Sequence, residues 1–321
     1  MRAVILVLLV AACSDDEPAA GVDASLVIDA ALQLTDAAHH DARTFDARTF
    51  DAPSLDAGVS SARQTARTLG YQDAPNGFYE YLPPAYDGVR TAPLLIFWHG
   101  IGENGNGMTG QLERVLRNGP PRVIDRNAWS ADRPFIVLSP QNPGPGCPSA
   151  ASVRAFLRWA FAHYAVDRDR VYLTGLSCGA IGVWSYLASY LADGEIVAAA
   201  LVAGSGRSAW NTHGCALGAV GIWAFHGTAD ETVNPDDQMY SLVGFPTDNR
   251  ADGSRAESEK VYADWLEAGS PMTGGLIACP AGDRRDARLT LYPGVGHDSW
   301  TRTYDLSAGH DLYAWLRSMT R

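Results

Sequence analysis

The chain has 321 residues and a formal net charge of −11, with 46% hydrophobic and 19% charged residues. The hydrophobic share predicts a folded core in most of the chain, and the acidic balance argues against nucleic acid as a partner. The acidity is concentrated near the N-terminus, because residues 14–56 hold ten acidic and two basic side chains. The net charge therefore says little about a substrate of the folded part.

The N-terminus has the features of a targeting signal. Arg2 precedes an apolar run from Ala3 to Ala12, which is too short to span a bilayer, since a spanning helix needs about 20 residues. The run ends at Cys13, directly after two alanines. This arrangement resembles the bacterial lipoprotein box, in which the leader, here residues 1–12, is removed and the cysteine is lipidated. The resemblance implies an exported protein that is lipid-anchored to the cell envelope.

Two details qualify this interpretation of the leader. Ser14, rather than aspartate, follows the cysteine, and under the usual sorting rule this favours the outer membrane. An ordinary signal peptide with a chance cysteine is the alternative, and it would give an extracellular protein without an anchor.

Residues 13–70 are predicted to be a disordered linker. The segment is rich in aspartate and alanine, and Asp-Ala-Arg-Thr-Phe occurs twice in succession, at 41–45 and 46–50. No part of it repeats apolar residues at a period that would bury a face. His39 and His40 do not indicate a metal site, because nothing nearby could complete the coordination shell.

From Tyr71 onward, apolar runs alternate with helical patterns. Helical spacing of apolar residues is clearest from Val153 to Tyr164 and from Leu312 to Met319. Continuous apolar runs are typical of strands buried on both faces of a parallel sheet; they cover residues 78–82, 93–98, 134–139, 170–174, 196–203, 221–225 and 288–292. The alternation predicts a single α/β domain over residues 71–321, with a mostly parallel sheet and helices on both faces.

A Gly-x-Ser-x-Gly sequence at 175–179 lies between a predicted strand and a predicted helix. A sharp strand-to-helix turn of this kind presents the serine at the edge of the sheet, and the flanking glycines relieve crowding. The helix N-terminus directs free N–H groups towards developing negative charge. Ser177 is therefore the candidate nucleophile.

An acid and a histidine follow Ser177 in the chain order that such a nucleophile requires. Asp230 comes shortly after the strand at 221–225, and His297 lies in the loop after the strand at 288–292. We therefore predict a Ser177–His297–Asp230 triad that transfers an acyl group to water, with the histidine as proton carrier and the aspartate orienting it. This chemistry needs neither a metal nor an organic cofactor.

A glycine-rich loop at 99–105, His-Gly-Ile-Gly-Glu-Asn-Gly, follows another strand. Because glycine lets the backbone approach a substrate oxygen, the amides of Ile101 and Cys178 are the predicted oxyanion donors. The loop also matches Gly-x-Gly-x-x-Gly of dinucleotide-binding proteins, which place an acid at the end of the next strand. Here that strand ends in Ser-Pro-Gln, so a nucleotide is not expected.

The ordered motifs resemble the carboxylesterase, phospholipase and polyhydroxybutyrate-depolymerase-like branch of the α/β-hydrolases, which also holds feruloyl esterases and dienelactone-hydrolase relatives. The resemblance covers residue 78 to the C-terminus. Its segments are Tyr-Leu-Pro at 81–83 with Tyr86, His-Gly-x-Gly-Glu at 99–103, Asn-Gly-Pro-Pro at 118–121, Ser-Pro-Gln at 139–141, Gly-Leu-Ser-x-Gly at 175–179, Phe-His-Gly-x-x-Asp at 225–230, Gly-His-Asp-Ser-Trp at 296–300 and Trp-Leu at 315–316.

The resemblance implies the α/β-hydrolase fold and hydrolysis of small or polymeric carboxylic esters with short or aromatic, feruloyl-like acyl groups. His99, Gly100 and Trp300 are candidate pocket residues. Two features depart from the branch. Cys178 stands after the nucleophile, where the branch usually has Met, Gln or Ala. The segment 237–253 is longer than the usual connection after the acid, and it is predicted to shape or cover the pocket.

Four cysteines remain after Cys13 is assigned to the lipid. An even number in an exported domain favours disulfides, and three pairings are open among Cys147, Cys178, Cys215 and Cys279. Alternatively, Cys178 is a small buried thiol.

Two other functions fit parts of the same pattern. A serine peptidase of this fold would use the same triad, but it would need a further domain or groove for an extended peptide. A non-catalytic surface-binding protein on a hydrolase scaffold would be expected to have lost a triad member.

Overall fold

A computed structural model describes residues 64–236 and 286–321 of the chain. The predicted leader, the lipidation site at Cys13, the linker up to residue 63, the segment 237–253 and Cys279 all lie outside the described residues. In the described ranges, none of the helices combines the length and the apolar character that a membrane span requires.

The described residues form one sheet of eight strands. These are β1 (Thr65–Arg67), β2 (Phe78–Tyr81), β3 (Ala92–Trp98), β4 (Ile136–Pro140), β5 (Val166–Leu176), β6 (Ala198–Val202), β7 (Gly221–Gly227) and β8 (Ala287–Tyr292). Their order across the sheet is β1-β2-β4-β3-β5-β6-β7-β8. β1 and β2 are antiparallel to their neighbours, whereas β3 to β8 are parallel to one another.

Helices cover both faces of this sheet. Those within the described ranges are α1 (Gly119–Asp125), α2 (Ala150–His163), α3 (Cys178–Tyr190), α4 (Arg207–His213), α5 (Trp300–Tyr304) and α6 (Leu312–Ser318). Side chains of β3 alternate between two apolar cores, because successive residues of a strand point to opposite faces. Ile96 and Trp98 pack in the core that includes α2, α3 and α4, and Leu95 and Phe97 pack in the core of α1, α5 and α6. The predicted α/β class with a mostly parallel sheet is confirmed.

The sheet begins earlier than the sequence indicates. β1 lies inside the segment 13–70 assigned to a linker, and it pairs antiparallel with β2. Arg67 of this strand donates two hydrogen bonds to the buried carboxylate of Glu80, at 2.9 and 2.6 Å. A short polar edge strand shows no apolar run, so the sequence pattern does not reveal it, and the sheet includes residues before the predicted boundary at 71.

Candidate active site

Ser177 occupies the sharp turn between β5 and α3, with φ 50° and ψ −120°. Such backbone angles are uncommon for a residue with a side chain and persist only where the surrounding structure imposes them. Ser177 is 8% exposed, and its amide donates to the carbonyl of Val202 in β6 at 2.8 Å. The turn is therefore fixed by the neighbouring strand.

The two glycines that flank Ser177 are required by close contacts. A Cβ at Gly179 would lie 2.0 Å from the carbonyl oxygen of Trp98, and a Cβ at Gly175 would lie 2.6 Å from the carbonyl carbon of Gly179. No side chain fits in either space. The first turn of α3 is thus pressed against the end of β3, which brings Ser177 next to the loop that leaves β3.

The three residues predicted to act together form one hydrogen-bonded chain. Ser177 Oγ is 2.9 Å from His297 Nε2, and His297 Nδ1 is 2.8 Å from Asp230 Oδ2. Because the carboxylate oxygen only accepts, Nδ1 carries a proton and neutral His297 accepts the serine hydroxyl proton at Nε2. Asp230 follows β7 and His297 follows β8, so the parallel strands bring the residues to one edge.

The Asp230 carboxylate accepts hydrogen bonds at both oxygens. The amides of Thr232 and Val233 donate to Oδ1 at 2.9 and 3.0 Å. His226 Nε2 lies 3.0 Å from Oδ2, the oxygen that also accepts from His297. Burial acts to raise the pKa of Asp230, but the bonds from the histidines and amides outweigh it and hold this pKa well below its usual range. The group is therefore ionised at neutral pH.

His226 also contacts Asp230, and in the sequence it stands out only as part of Phe-His-Gly-x-x-Asp at 225–230. Its side chain is fully buried, and Nε2 also lies 2.9 Å from the carbonyl oxygen of Val233. Both neighbours of Nε2 are acceptors, so the proton sits on that nitrogen. Its position four residues before Asp230, across the end of β7, is the only signal that the sequence carries.

The His99 ring is buried, at 1% exposure, and does not line an open pocket. Nε2 accepts from the Asn142 amide at 2.9 Å, so Nδ1 carries the proton and donates to the Gly100 carbonyl at 2.7 Å. Burial lowers the pKa of His99 to about 4. In this structure the side chain ties two loops together, and its ring is closed off from solvent rather than presented to a pocket.

The glycine-rich loop passes directly beside Ser177. A Cβ at Gly100 would lie 3.8 Å from Ser177 Cβ and 2.8 Å from a methyl carbon of Leu176. Ile101 is the first residue of a 3₁₀ turn and Cys178 is the first residue of α3. Amides at such positions have no partner within their own helical turn, so both are able to bind an external oxygen.

A chain of contacts joins this loop to His297. Glu103 is 6% exposed, and burial raises its pKa even though Asn118 Nδ2 donates to Oε1 at 2.8 Å. Asn118 Oδ1 accepts from Trp300 Nε1 at 3.2 Å. The Trp300 ring meets the His297 ring edge to face, with centroids 4.9 Å apart. Trp300 thus lies against His297, with its N–H already bonded to Asn118.

A disulfide joins Cys147 to Cys178, with the two Cα atoms 4.7 Å apart. The alternative of a free buried thiol at Cys178 is therefore wrong. Among the described residues, no group of three or more His, Cys, Asp and Glu side chains is placed to bind a metal ion.

Comparison with solved structures agrees with this architecture. The crystal structure of a thermostable esterase matches with a TM-score of 0.52 and 21% identity, over 81% of this chain and 64% of that one. The chain has the α/β-hydrolase fold. The resemblance found in the sequence is confirmed at that level, and the chain spans less than two thirds of the length of this esterase.

Two further structures give lower scores. A mutant feruloyl esterase module from Clostridium thermocellum, complexed with sinapinate, matches with a TM-score of 0.49 and 15% identity, over 77% of this chain and 85% of that one. Dipeptidyl peptidase 4 from Porphyromonas gingivalis matches with a TM-score of 0.46 and 12% identity, over 80% and 35%. No protein-family model matches the sequence, and the search of curated proteins gives no significant match.

The buried His99 predicts a pH-dependent stability. His99 takes up a proton near pH 6.5 in the unfolded chain, but only near pH 4 in the folded chain, because burial lowers its pKa. The free energy of unfolding therefore falls as the pH drops through this window. The contribution of His99 to this fall is roughly 3 kcal/mol. His99→Gln cannot take up the proton. Urea denaturation should therefore show the free energies of wild type and variant converging between about pH 7.5 and about pH 4. A difference that stays constant with pH would contradict this assignment.

Proposed function

We propose that the chain is a serine hydrolase that cleaves carboxylic esters. The observation that carries the proposal is the continuous hydrogen-bonded chain from Ser177 through His297 to Asp230 at the edge of the parallel sheet. Such an arrangement converts a weakly nucleophilic hydroxyl into an attacking group, because the base that removes its proton is already in place.

The reaction proceeds by acyl transfer. Ser177 Oγ attacks the ester carbonyl while His297 Nε2 takes the hydroxyl proton, and the same proton then passes to the leaving alkoxide. Water attacks the acyl-enzyme in the second half by the same proton relay. Asp230 holds the tautomer of His297 and stabilises the imidazolium that forms, a task for which its low pKa keeps it ionised.

The amides of Ile101 and Cys178 receive the negative oxygen of the tetrahedral intermediate. Both begin helical turns, and the loop carrying the first passes beside the serine. The loss of one such donor typically costs about 3 to 4 kcal/mol of transition-state stabilisation. This contribution acts on the developing charge rather than on substrate binding.

Esters are favoured over amides by the sequence resemblance to the carboxylesterase branch. The fold alone does not determine the reaction, so the proposal depends on the site and on those motifs. The substrates expected are small or polymeric esters with short or aromatic acyl groups.

The first test is the hydrolysis of p-nitrophenyl and feruloyl esters by the full chain. Ser177→Ala should lower kcat by about 10³-fold or more, because the nucleophile is lost. Ser185→Ala is the matched control: this serine of α3 donates to the Ile181 carbonyl within its own helix, so activity should be retained.

The alternatives are separated in the same experiment. A fluorophosphonate should label wild type and spare Ser177→Ala. Labelling with amide turnover above ester turnover would indicate a peptidase and contradict the proposal. A folded wild type that neither turns over esters nor reacts with the probe would indicate a binding protein.

A second test addresses acyl selectivity. Trp300 faces His297 and is half-buried, so we expect it to contact an aromatic acyl group. Trp300→Ala should reduce the ratio of kcat/KM for feruloyl over acetyl esters by about tenfold, the scale of one lost apolar contact. The ratio is the readout because lost packing on His297 would slow both substrates alike. An unchanged ratio would refute the pocket role.

We also propose that Cys13 carries a lipid, which rests on the sequence of the leader. In a bacterium that processes lipoproteins, the full-length chain should mature to a membrane-bound form whose first residue is a diacylglyceryl cysteine, as read by mass spectrometry. Cys13→Ser should abolish both properties and leave ester turnover unchanged. A mature chain with an unmodified Cys13 would establish an ordinary signal peptide.

A further inference from the structure

The residue that follows the nucleophile is tied covalently to a loop outside α3. Cys178, whose amide is the proposed second oxyanion donor, is linked to Cys147. We call residues 142–148 the clamp loop. Its end packs on α3 itself, because a Cβ at Gly182 would lie 2.8 Å from the carbonyl oxygen of Pro148. The clamp loop is thus held against the helix that begins at Cys178.

The same loop is tied to the other oxyanion donor. Asn104 caps the 3₁₀ turn of Ile101, and its backbone amide donates to the Ile101 carbonyl at 3.2 Å. Its side-chain Nδ2 also donates to two carbonyls of the clamp loop. These are Gly144 at 2.7 Å and Gly146 at 2.9 Å. The side chain of Asn142 adds a bond to the Gly146 carbonyl at 2.9 Å. One loop therefore connects the two elements that carry the donor amides.

We propose that the clamp loop is a positioning element for the oxyanion hole, and that the Cys147–Cys178 disulfide makes ester hydrolysis sensitive to thiols. This inference rests on the proposed function. The disulfide fixes Cys178 and the Asn104 bonds fix the turn of Ile101, so together they set the separation of the two amides. Removal of either tie lets one amide move relative to the other.

The disulfide is reachable from solvent at one end. Cys147 is exposed whereas Cys178 is 6% exposed, so an external thiolate attacks the sulfur of Cys147. The S–S bond breaks, Cys178 leaves as a thiolate and takes a proton, and Cys147 is held in a mixed disulfide. A second thiol attacks that mixed disulfide and releases Cys147 as a thiol. Two external thiols are oxidised to one disulfide while the two cysteines are reduced.

Loss of the disulfide or of the Asn104 hydrogen bonds should weaken the stabilisation of the transition state. Donors to the oxyanion act on charge that develops during reaction, so their displacement lowers kcat and leaves KM nearly unchanged. A displacement of about 1 Å can cost about 10²-fold in rate. We expect reduction to lower kcat by about ten- to a hundredfold.

The test is steady-state ester hydrolysis by the full chain before and after treatment with dithiothreitol. The expected result is a fall in kcat with KM within about twofold, recovery on reoxidation, and an unchanged circular dichroism spectrum. Cys147→Ser should have the low kcat from the start, and dithiothreitol should not change it. This control also separates the effect from reduction at Cys215, which is disulfide-bonded as well.

A second variant keeps the proposal testable if Cys147→Ser does not fold. Asn104→Ala removes the bonds to Gly144 and Gly146 without touching a sulfur, and it should lower kcat alone. The inhibition constant of a trifluoromethyl ketone, which forms a tetrahedral adduct on Ser177, should rise in parallel with the loss of kcat/KM. A purely structural role would not produce that correlation.

The outcomes separate this inference from the proposed function. An oxidised wild type with no ester turnover would refute the function itself. Strong turnover that neither dithiothreitol nor Cys147→Ser changes would refute only the positioning role of the clamp loop. A rise in KM at constant kcat would also refute this positioning role, because it would indicate that the clamp loop acts in substrate binding.

Discussion

The site depends on one steric contact, the packing of the first turn of α3 against the carboxyl end of β3. Gly179 lies so close to the Trp98 carbonyl that no side chain could stand there. This approach forces the chain through a turn in which Ser177 takes a positive φ. The strain at one residue is small beside the apolar burial around it, since Trp98 and Trp184 are fully buried on the same face of the sheet. The core thus supports a backbone conformation that the turn could not keep by itself.

At the other end of the hydrogen-bonded chain, the surrounding structure stabilises the buried charge of Asp230. A buried carboxylate is costly unless it is well bonded, and Asp230 receives two amides and two imidazoles. His226 supplies a donor that the proposed proton relay does not use. It lies 3.0 Å from Oδ2, the same oxygen that accepts from His297. The acid is therefore oriented by the end of β7 before any substrate arrives.

Most of the fold and the order of the site residues could be predicted, because buried parallel strands leave long apolar runs and each site residue follows such a run. The remaining features are invisible to local patterns. β1 is polar and is recognised only by its pairing with β2. The direction of the His99 ring depends on Asn142, which is 43 positions away. Three partners are open to Cys178 in the sequence, and Cys147 pairs with it because the fold places the clamp loop beside α3.

The three residues of the hydrogen-bonded chain lie far apart along the polypeptide, with Ser177 and His297 separated by 120 positions. His297 reaches the serine only after β8 has joined β7, at the far end of the strand order. Partly folded species that lack this last strand pairing contain the nucleophile without its base. The proposed hydrolytic activity would therefore depend on completion of the sheet and not on the presence of Ser177 alone.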